Sequence, residues 1–255
     1  MRYGNNMVFR RDDVFESDEK ATLTGVNLKA ALLLGITILT ATICMMFVTK
    51  LDTNSVAAPI VIVGYLVCPI LTVIFSLIMG FRPLTAKALS IPYAILEGVS
   101  IGAVCGLLKY ALGAIGGYIA GLAFVGTLAI FLGCAVLYMS GLVKVTSGFR
   151  RFVIMLGASL IIMSIVILIA GLFNHEIFAL FYGDGIIGLV FAIFGVLIAS
   201  LYTMLTLDNA KRMVDAGLSK AFEWYCAFGI VLNIIWLFWE VLRLVIIITS
   251  RASRR

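Results

Sequence analysis

Seven long runs of apolar residues, separated by short polar gaps, restrict what this chain can fold into. Apolar residues make up 63% of the sequence and charged residues only 13%, whereas a soluble domain is usually about a quarter charged. A helix of about 20 residues crosses a hydrocarbon core, and helices satisfy their own backbone hydrogen bonds in lipid. The sequence therefore predicts an all-α polytopic membrane protein with seven transmembrane helices. The predicted spans are Ala30–Thr49, Val56–Gly80, Ala88–Leu108, Tyr118–Leu142, Val153–Phe173, Gly185–Leu207 and Phe222–Thr249.

The polar ends of the chain flank a single predicted membrane domain at residues 30–249. Residues 1–29 form a polar tail with acidic residues where a secretory signal would have an apolar stretch. We expect this tail to be cytosolic and partly disordered. Residues 250–255 form a basic tail.

The lysine and arginine residues of the loops predict the orientation in the membrane. Alternate loops carry most of the lysine and arginine residues, and we call the side on which these loops lie the inner side. The loops on the opposite side contain Lys50 and Lys109. We expect a cell-membrane protein with a cytosolic amino terminus. Because Arg251 would then lie outside, a re-entrant last segment is an alternative. The basic residues expected on the inner side are Arg2, Arg10, Arg11, Lys20, Lys29, Arg82, Lys87, Lys144, Arg150, Arg151, Lys211, Arg212 and Lys220.

Several functional classes find little support in the sequence. The single histidine, His175, cannot anchor a metal cluster, and the cysteines show no Cys-x-x-Cys spacing. Nucleic-acid binding is not expected, because no basic stripe with interleaved aromatic residues is present. The segment Tyr182-Gly183-Asp184-Gly185 is predicted to be a turn rather than a protease motif. We predict no enzymatic activity and no resident cofactor. The cysteines are Cys44, Cys68, Cys105, Cys134 and Cys226.

A few ionisable and polar residues lie within the apolar runs, where they are costly and suggest function. Glu97 lies in the third span, Asp208 ends the sixth, and Asn233, Glu240 and Arg243 lie in the seventh. The spacing of the last three residues places them on one helix face. We predict that this face lines a polar path, with Arg243 as the counter-charge of Glu240. The alternative is that Glu240 and Arg243 are an ion pair within one helix that only neutralises the two charges.

Protonation of these carboxyl groups offers a mechanism, since burial disfavours a charged group. We expect Glu97 to be neutral and Asp208, nearer to water, to stay charged. A change in pH would make or break a latch between a carboxylate and an arginine at the inner mouth, where Arg82, Lys211 or Arg212 is expected near Asp208. Arg82 at the inner end of the second span is the candidate latch. Carboxylate oxygens also suit calcium, which we consider as a permeant ion. The alternative for Asp208 is that it only stabilises a loop, and for Glu97 that it is a neutral acid bonded to a backbone carbonyl.

Three glycines recur every four residues in the third span, at Gly98, Gly102 and Gly106. Small residues at this spacing let two helices approach closely. We therefore interpret this ridge as a helix-packing surface, which places Glu97 beside a tight interface.

Two stretches are similar to sequence motifs of a known family. Leu96-Glu97-Gly98-Val99-Ser100-Ile101-Gly102 resembles the acidic-glycine motif of the Bax inhibitor-1 family. The segment from Leu207-Asp208 through Glu223-Trp224-Tyr225 to Leu242-Arg243 resembles that family's carboxyl-terminal signature, and its end looks most like a bacterial branch.

This resemblance implies a proton-sensitive calcium leak pathway in which the last helix is central and the other six surround it. It also implies an aspartate pair as the pH sensor and an arginine on the second helix as its latch. Asp208 matches the first aspartate, although Asn209-Ala210 replaces the usual Thr-Gln, and Asn233 matches the second but cannot ionise. By position, Glu240 or Glu97 is a candidate to take the place of the second aspartate of the sensor pair.

The leading hypothesis is therefore a pH-sensitive cation leak channel, with calcium as the candidate ion, gated at Asp208 and Glu97. A second hypothesis is a non-conducting regulatory protein that binds a membrane protease or a stress-response partner in the lipid bilayer. A proton-coupled transporter is a third, although no internal repeat is visible. The sequence leaves the oligomeric state open.

Overall fold

A computed structural model describes residues 19–50 and 63–253 of the chain. Its described residues form helices without strands. The predicted features at residues 1–18, the start of the second span at residues 56–62 and the arginines at 254 and 255 lie outside the described residues. The helices are α1 (Leu23–Lys50), α2 (Cys68–Phe81), α3 (Ala86–Leu112), α4 (Ala114–Met139), α5 (Ser147–Phe173), α6 (His175–Tyr182), α7 (Ile186–Asp215) and α8 (Phe222–Ala252).

Seven helical segments of the described chain are long and apolar enough to cross a membrane. They are α1, α2 with the π-helical turn Val63–Val67 before it, α3 with the 3-10 turn Pro83–Thr85 before it, α4, α5, α7 and α8. The prediction of an all-α polytopic membrane protein is therefore confirmed. The last span is the most buried of the seven, with 56% of its apolar window buried.

The ends of several helices differ from the predicted spans. α1 begins at Leu23 rather than Ala30, because Thr22 caps it inside the predicted tail: its Oγ1 accepts a hydrogen bond from Gly25 N at 3.0 Å. Hydropathy does not detect such a cap, since polar first turns continue a helix beyond its apolar part. α7 likewise continues beyond the predicted end at Leu207 to Asp215, through about two largely polar turns.

Two further differences concern the connections. Only Gly113, with φ of 60°, separates α3 from α4, where a longer gap was predicted. The short helix α6 was not predicted, because its eight residues are too few for a recognisable period. α8 is one uninterrupted helix of 31 residues, so the alternative of a re-entrant last segment is wrong.

The described chain forms two compact units. The first contains the described residues up to Gly117 together with Asn209–Val231, and the second contains Tyr118–Asp208 together with the described residues from Leu232 onward. α7 and α8 each contribute to both units. The prediction of a single membrane domain stays a prediction.

Candidate functional site

In the second unit, the carboxylate of Asp208 lies between two donors from neighbouring helices. Arg150 Nη2 donates to Asp208 Oδ2 at 3.1 Å, and the Tyr138 hydroxyl donates to Asp208 Oδ1 at 3.4 Å. The side chain of Asp208 is 12% exposed and that of Arg150 is 34% exposed. Each carboxylate oxygen therefore has its own donor in a partly enclosed site.

The turn between α4 and α5 positions both donors. Tyr138 is in the last turn of α4, and Arg150 is in the first turn of α5. Thr146 caps α5 by accepting a hydrogen bond from Phe149 N at 3.2 Å. A cation in a first helical turn opposes the positive end of the helix dipole, so Asp208 offsets an otherwise unfavourable charge on Arg150.

Asn233 lies on α8 in the same unit, and 3% of its surface is exposed. Its Nδ2 donates to Thr203 Oγ1 at 2.7 Å and to the Ala199 carbonyl at 3.5 Å. Thr203 precedes Asp208 by five residues, which corresponds to roughly 140° around α7. Asp208 and Thr203, which binds Asn233, therefore lie on different faces of α7.

Glu240 and Arg243 form an ion pair one turn apart, with Oε2 and Nη1 at 3.7 Å. Trp236 Nε1 donates to Glu240 Oε1 at 3.4 Å. Gly195 of α7 provides the space, because a Cβ there would collide with the Glu240 carboxyl group. Both charged side chains are less than a fifth exposed.

The guanidinium of Arg243 connects α8 to the short helix α6. Its Nη2 donates to the Phe181 carbonyl, near the carboxyl end of α6, at 2.7 Å. It also stacks on the rings of Tyr182 and Phe191, at 4.3 and 4.8 Å from their centroids. Arg243 Nε and Glu240 Oε2 are buried without a hydrogen-bond partner among the described residues.

The facing surfaces of α7 and α8 in the second unit thus carry consecutive polar contacts, which we call the polar seam. Along α8 the spacing is that of one helix face, as the sequence indicated. The polar seam consists of Gly195, Ala199 and Thr203 on α7 and Asn233, Trp236, Glu240 and Arg243 on α8.

Glu97 belongs to the first unit, where it is 9% exposed on α3. Tyr93, one turn earlier, interacts with the Glu97 carboxyl group and packs edge-on against Phe228 at 5.1 Å between ring centroids. Glu97 is therefore held inside the protein next to a tyrosine hydroxyl rather than exposed to lipid.

The glycine ridge of Gly98, Gly102 and Gly106 faces α1. A Cβ at Gly102 would lie 2.7 Å from Cys44 Cβ, and one at Gly106 would lie 2.7 Å from Val48 Cβ. A Cβ at Gly98 would collide with Thr40 Oγ1. Helices α1 and α3 thus meet at a distance that only glycine permits.

The sequence pattern predicts no role for Tyr138 and predicts Arg150 only as one of the basic loop residues on the inner side. Arg82, the candidate latch, lies exposed at the end of α2. Its role stays a prediction. A single sequence does not connect Arg150 with Asp208, which lies 58 residues later. The one available signal is that Arg150 lies in the first turn of α5 and that this turn contains no acidic residue.

These features define a polytopic α-helical membrane protein with buried ion pairs and a lipid bilayer as its environment. The sequence profile of the family described as "Bax inhibitor 1 like" matches residues 5–250. The chain therefore belongs to the Bax inhibitor-1-like family, as its motifs indicated. No curated protein matches the chain.

Proposed function

We propose that the protein is a pH-sensitive cation leak pathway of the cell membrane, with its amino terminus in the cytosol and Asp208 as its main sensor. Calcium is the proposed permeant ion. The protein is proposed to have no enzymatic activity and no resident cofactor. The observation that carries this proposal is the contact of Asp208 with Arg150 and Tyr138. An ion pair between helices changes when one carboxyl group takes up a proton.

Protonation of Asp208 removes the negative charge that Arg150 faces. Arg150 then remains at the positive end of the α5 dipole without its anion. The region around the turn between α4 and α5 loses its ion pair with α7, because a charged pair is replaced by at most a neutral hydrogen bond. The sensor therefore needs one carboxyl group, which fits the presence of Asn233 at the second family position.

The polar seam provides oxygen atoms along the same unit, from the Glu240 carboxylate to the Thr203 hydroxyl and the Ala199 carbonyl. Calcium prefers oxygen ligands of this kind. We assign Glu97 as a second protonation site, since its carboxyl group is buried in the first unit.

The test is calcium flux into proteoliposomes that contain a calcium dye, at acidic and at alkaline pH. Asp208→Asn and Arg150→Met each remove one side of the pair, and both should lose the pH response. At alkaline pH, Asp208→Asn should conduct as the wild type does at acidic pH. Glu97→Gln should shift the pH response without abolishing it.

Matched controls are available on the same helices. Asp215→Asn and Arg151→Gln change the net charge equally at exposed positions, and both should keep the wild-type pH response. Loss of the response in these controls would indicate a general charge effect. No flux above protein-free vesicles from a folded sample would reject the leak and favour the non-conducting regulatory protein.

A further inference from the structure

The start of α1 contains an incomplete capping motif in the first unit. In a capping box, a residue at the third helical position returns its carboxylate to the backbone N–H of the capping residue. The capping residue here is Thr22, and the third helical position is Gly25, which has no side chain. The local sequence therefore supplies only half of the motif.

Glu223, in the first turn of α8, takes the place of the missing carboxylate. Its Oε1 accepts hydrogen bonds from Thr22 N at 2.8 Å and from Thr22 Oγ1 at 3.1 Å. A Cβ at Gly25 would collide with the Glu223 carboxyl group. The glycine thus makes room for a carboxylate that arrives from 198 positions later in the chain.

The Glu223 site is closed by a second charge. Lys29, farther along α1, forms an ion pair with Glu223 Oε2 and lies over the Trp224 ring at 5.5 Å. The Glu223 side chain is 2% exposed and the Lys29 side chain is 18% exposed. A carboxylate this deeply buried is stable only with its partners, because an unpaired buried charge is strongly unfavourable.

Residues 19–29, which we call the strap, also pair with the connection between α7 and α8. Ala21 N donates to the Leu218 carbonyl at 2.8 Å, and Lys220 N donates to the Glu19 carbonyl at 3.0 Å. Lys20 and Ser219 form an antiparallel bridge. The outer pair of Glu19 and Lys220, with 2.5 Å between the charged atoms, is mostly exposed and therefore weak.

We propose that Glu223 completes the capping box of α1 from the start of α8, so that the strap opens and closes together with the start of α8. Movement of α8 away from the strap removes the acceptor of Thr22 N–H. Release of the strap leaves Glu223 without Thr22 and Lys29. A molecule that binds the strap therefore acts on the first turn of the last helix, and the exposed residues Glu19 and Lys20 detach first.

Hydrogen–deuterium exchange of the full-length protein tests the coupling in peptides that cover the strap. Glu223→Ala should speed strap exchange about tenfold, the equivalent of losing more than one buried hydrogen bond. Lys220→Ala removes only the exposed pair and should leave the exchange at Thr22 and Gly25 unchanged. Equal exchange in Glu223→Ala and the wild type would overturn the proposal.

Gly25→Ala gives a test in which a local effect and the coupling have opposite signs. Alanine stabilises a helix relative to glycine, so a local effect alone slows strap exchange. The coupling predicts faster exchange, because the methyl group displaces the Glu223 carboxylate. Slower exchange in Gly25→Ala would overturn the proposal, and this variant also covers the case in which Glu223→Ala does not fold.

A swap of the two residues separates capping from tethering. Gly25→Glu with Glu223→Gly restores a local capping box and removes the connection to α8. Disulfide formation between Lys20→Cys and Ser219→Cys, added to each background, reports the distance between strap and connection. The swap should keep the start of α1 protected while the disulfide forms about tenfold more slowly. A wild-type rate in the swap would show that Glu223 does not hold the strap.

Discussion

The glycine ridge of the first unit and the polar seam of the second unit join helices in different ways. The glycine ridge brings the backbone of α3 against α1 and has no charged group in its contacts with Thr40, Ala41, Cys44 and Val48. The polar seam uses an amide, a hydroxyl and an ion pair between α7 and α8. Because lipid gives no hydrophobic driving force between helices, close packing and hydrogen bonding are two of the main means by which they associate.

The difference between them lies in what each contact tolerates. The glycine ridge depends on the absence of atoms, so any added side chain separates the helices. The polar seam depends on the presence of partners, so the removal of one charge leaves the other unpaired. The ridge therefore suits a permanent connection, and the polar seam suits a connection that protons or ions can change.

The largest expected effect comes from breaking the ion pair of the polar seam on one side. Arg243→Met should lower the free energy of unfolding by about 4 kcal/mol, because Glu240 keeps a buried charge without its partner. The measurement is unfolding of the purified protein in detergent by heat or by a denaturing surfactant. The double variant Glu240→Gln with Arg243→Met should recover most of the loss. A double variant as unstable as the single one would contradict this interpretation.

The next effect concerns the glycine ridge. Gly98→Leu should destabilise the protein by about 3 kcal/mol, since its side chain collides with Thr40 and with the Thr37 carbonyl. Gly35→Leu is the matched control, because a Cβ at this exposed position of α1 meets nothing within 4 Å. The same unfolding measurement should show little change for Gly35→Leu. Equal losses in both variants would indicate that the ridge is not a close contact.

A smaller effect is expected from the uncharged part of the polar seam. Asn233→Leu removes the hydrogen bond to Thr203 and should cost about 1 kcal/mol, the scale of hydrogen bonds between membrane helices. Thr203→Val removes the same bond from the other side. In a double-mutant cycle, the two changes together should cost little more than either alone. Fully additive losses would show that the bond contributes nothing.

The smallest effect is expected at the exposed end of the strap. Glu19 raises the pKa of the Lys220 ammonium above its ordinary value of 10.5. A raised pKa means that the ion pair contributes to the stability of the folded state at pH values below this ordinary value. The contribution is lost as the pH rises through the folded-state pKa. Lys220→Ala should leave thermal unfolding at neutral pH unchanged, and any difference should disappear at high salt. A clear loss at high salt would place Lys220 among the buried contacts instead.

Much of the fold was predictable because lipid imposes length and composition on each span. The polar face of α8 was predictable as well, since Asn233, Glu240 and Arg243 share a helix face by spacing alone. The contact of Asp208 with Arg150 was not predictable, because it depends on how the turn after α4 directs the first residues of α5. The same holds for Glu240 and Gly195, where a missing side chain on one helix meets a long one on another.

The sequence by itself determined the seven spans, the family and the candidate ionisable residues, because hydropathy and short motifs are local properties of the chain. Only the tertiary structure decided their partners: Arg150 for Asp208, Thr203 for Asn233, and Thr22 with Lys29 for Glu223. The physical reason is that a buried polar group requires a partner but places no condition on where in the chain that partner lies. Helix packing selects it, and helix packing follows from the shapes of whole helix faces.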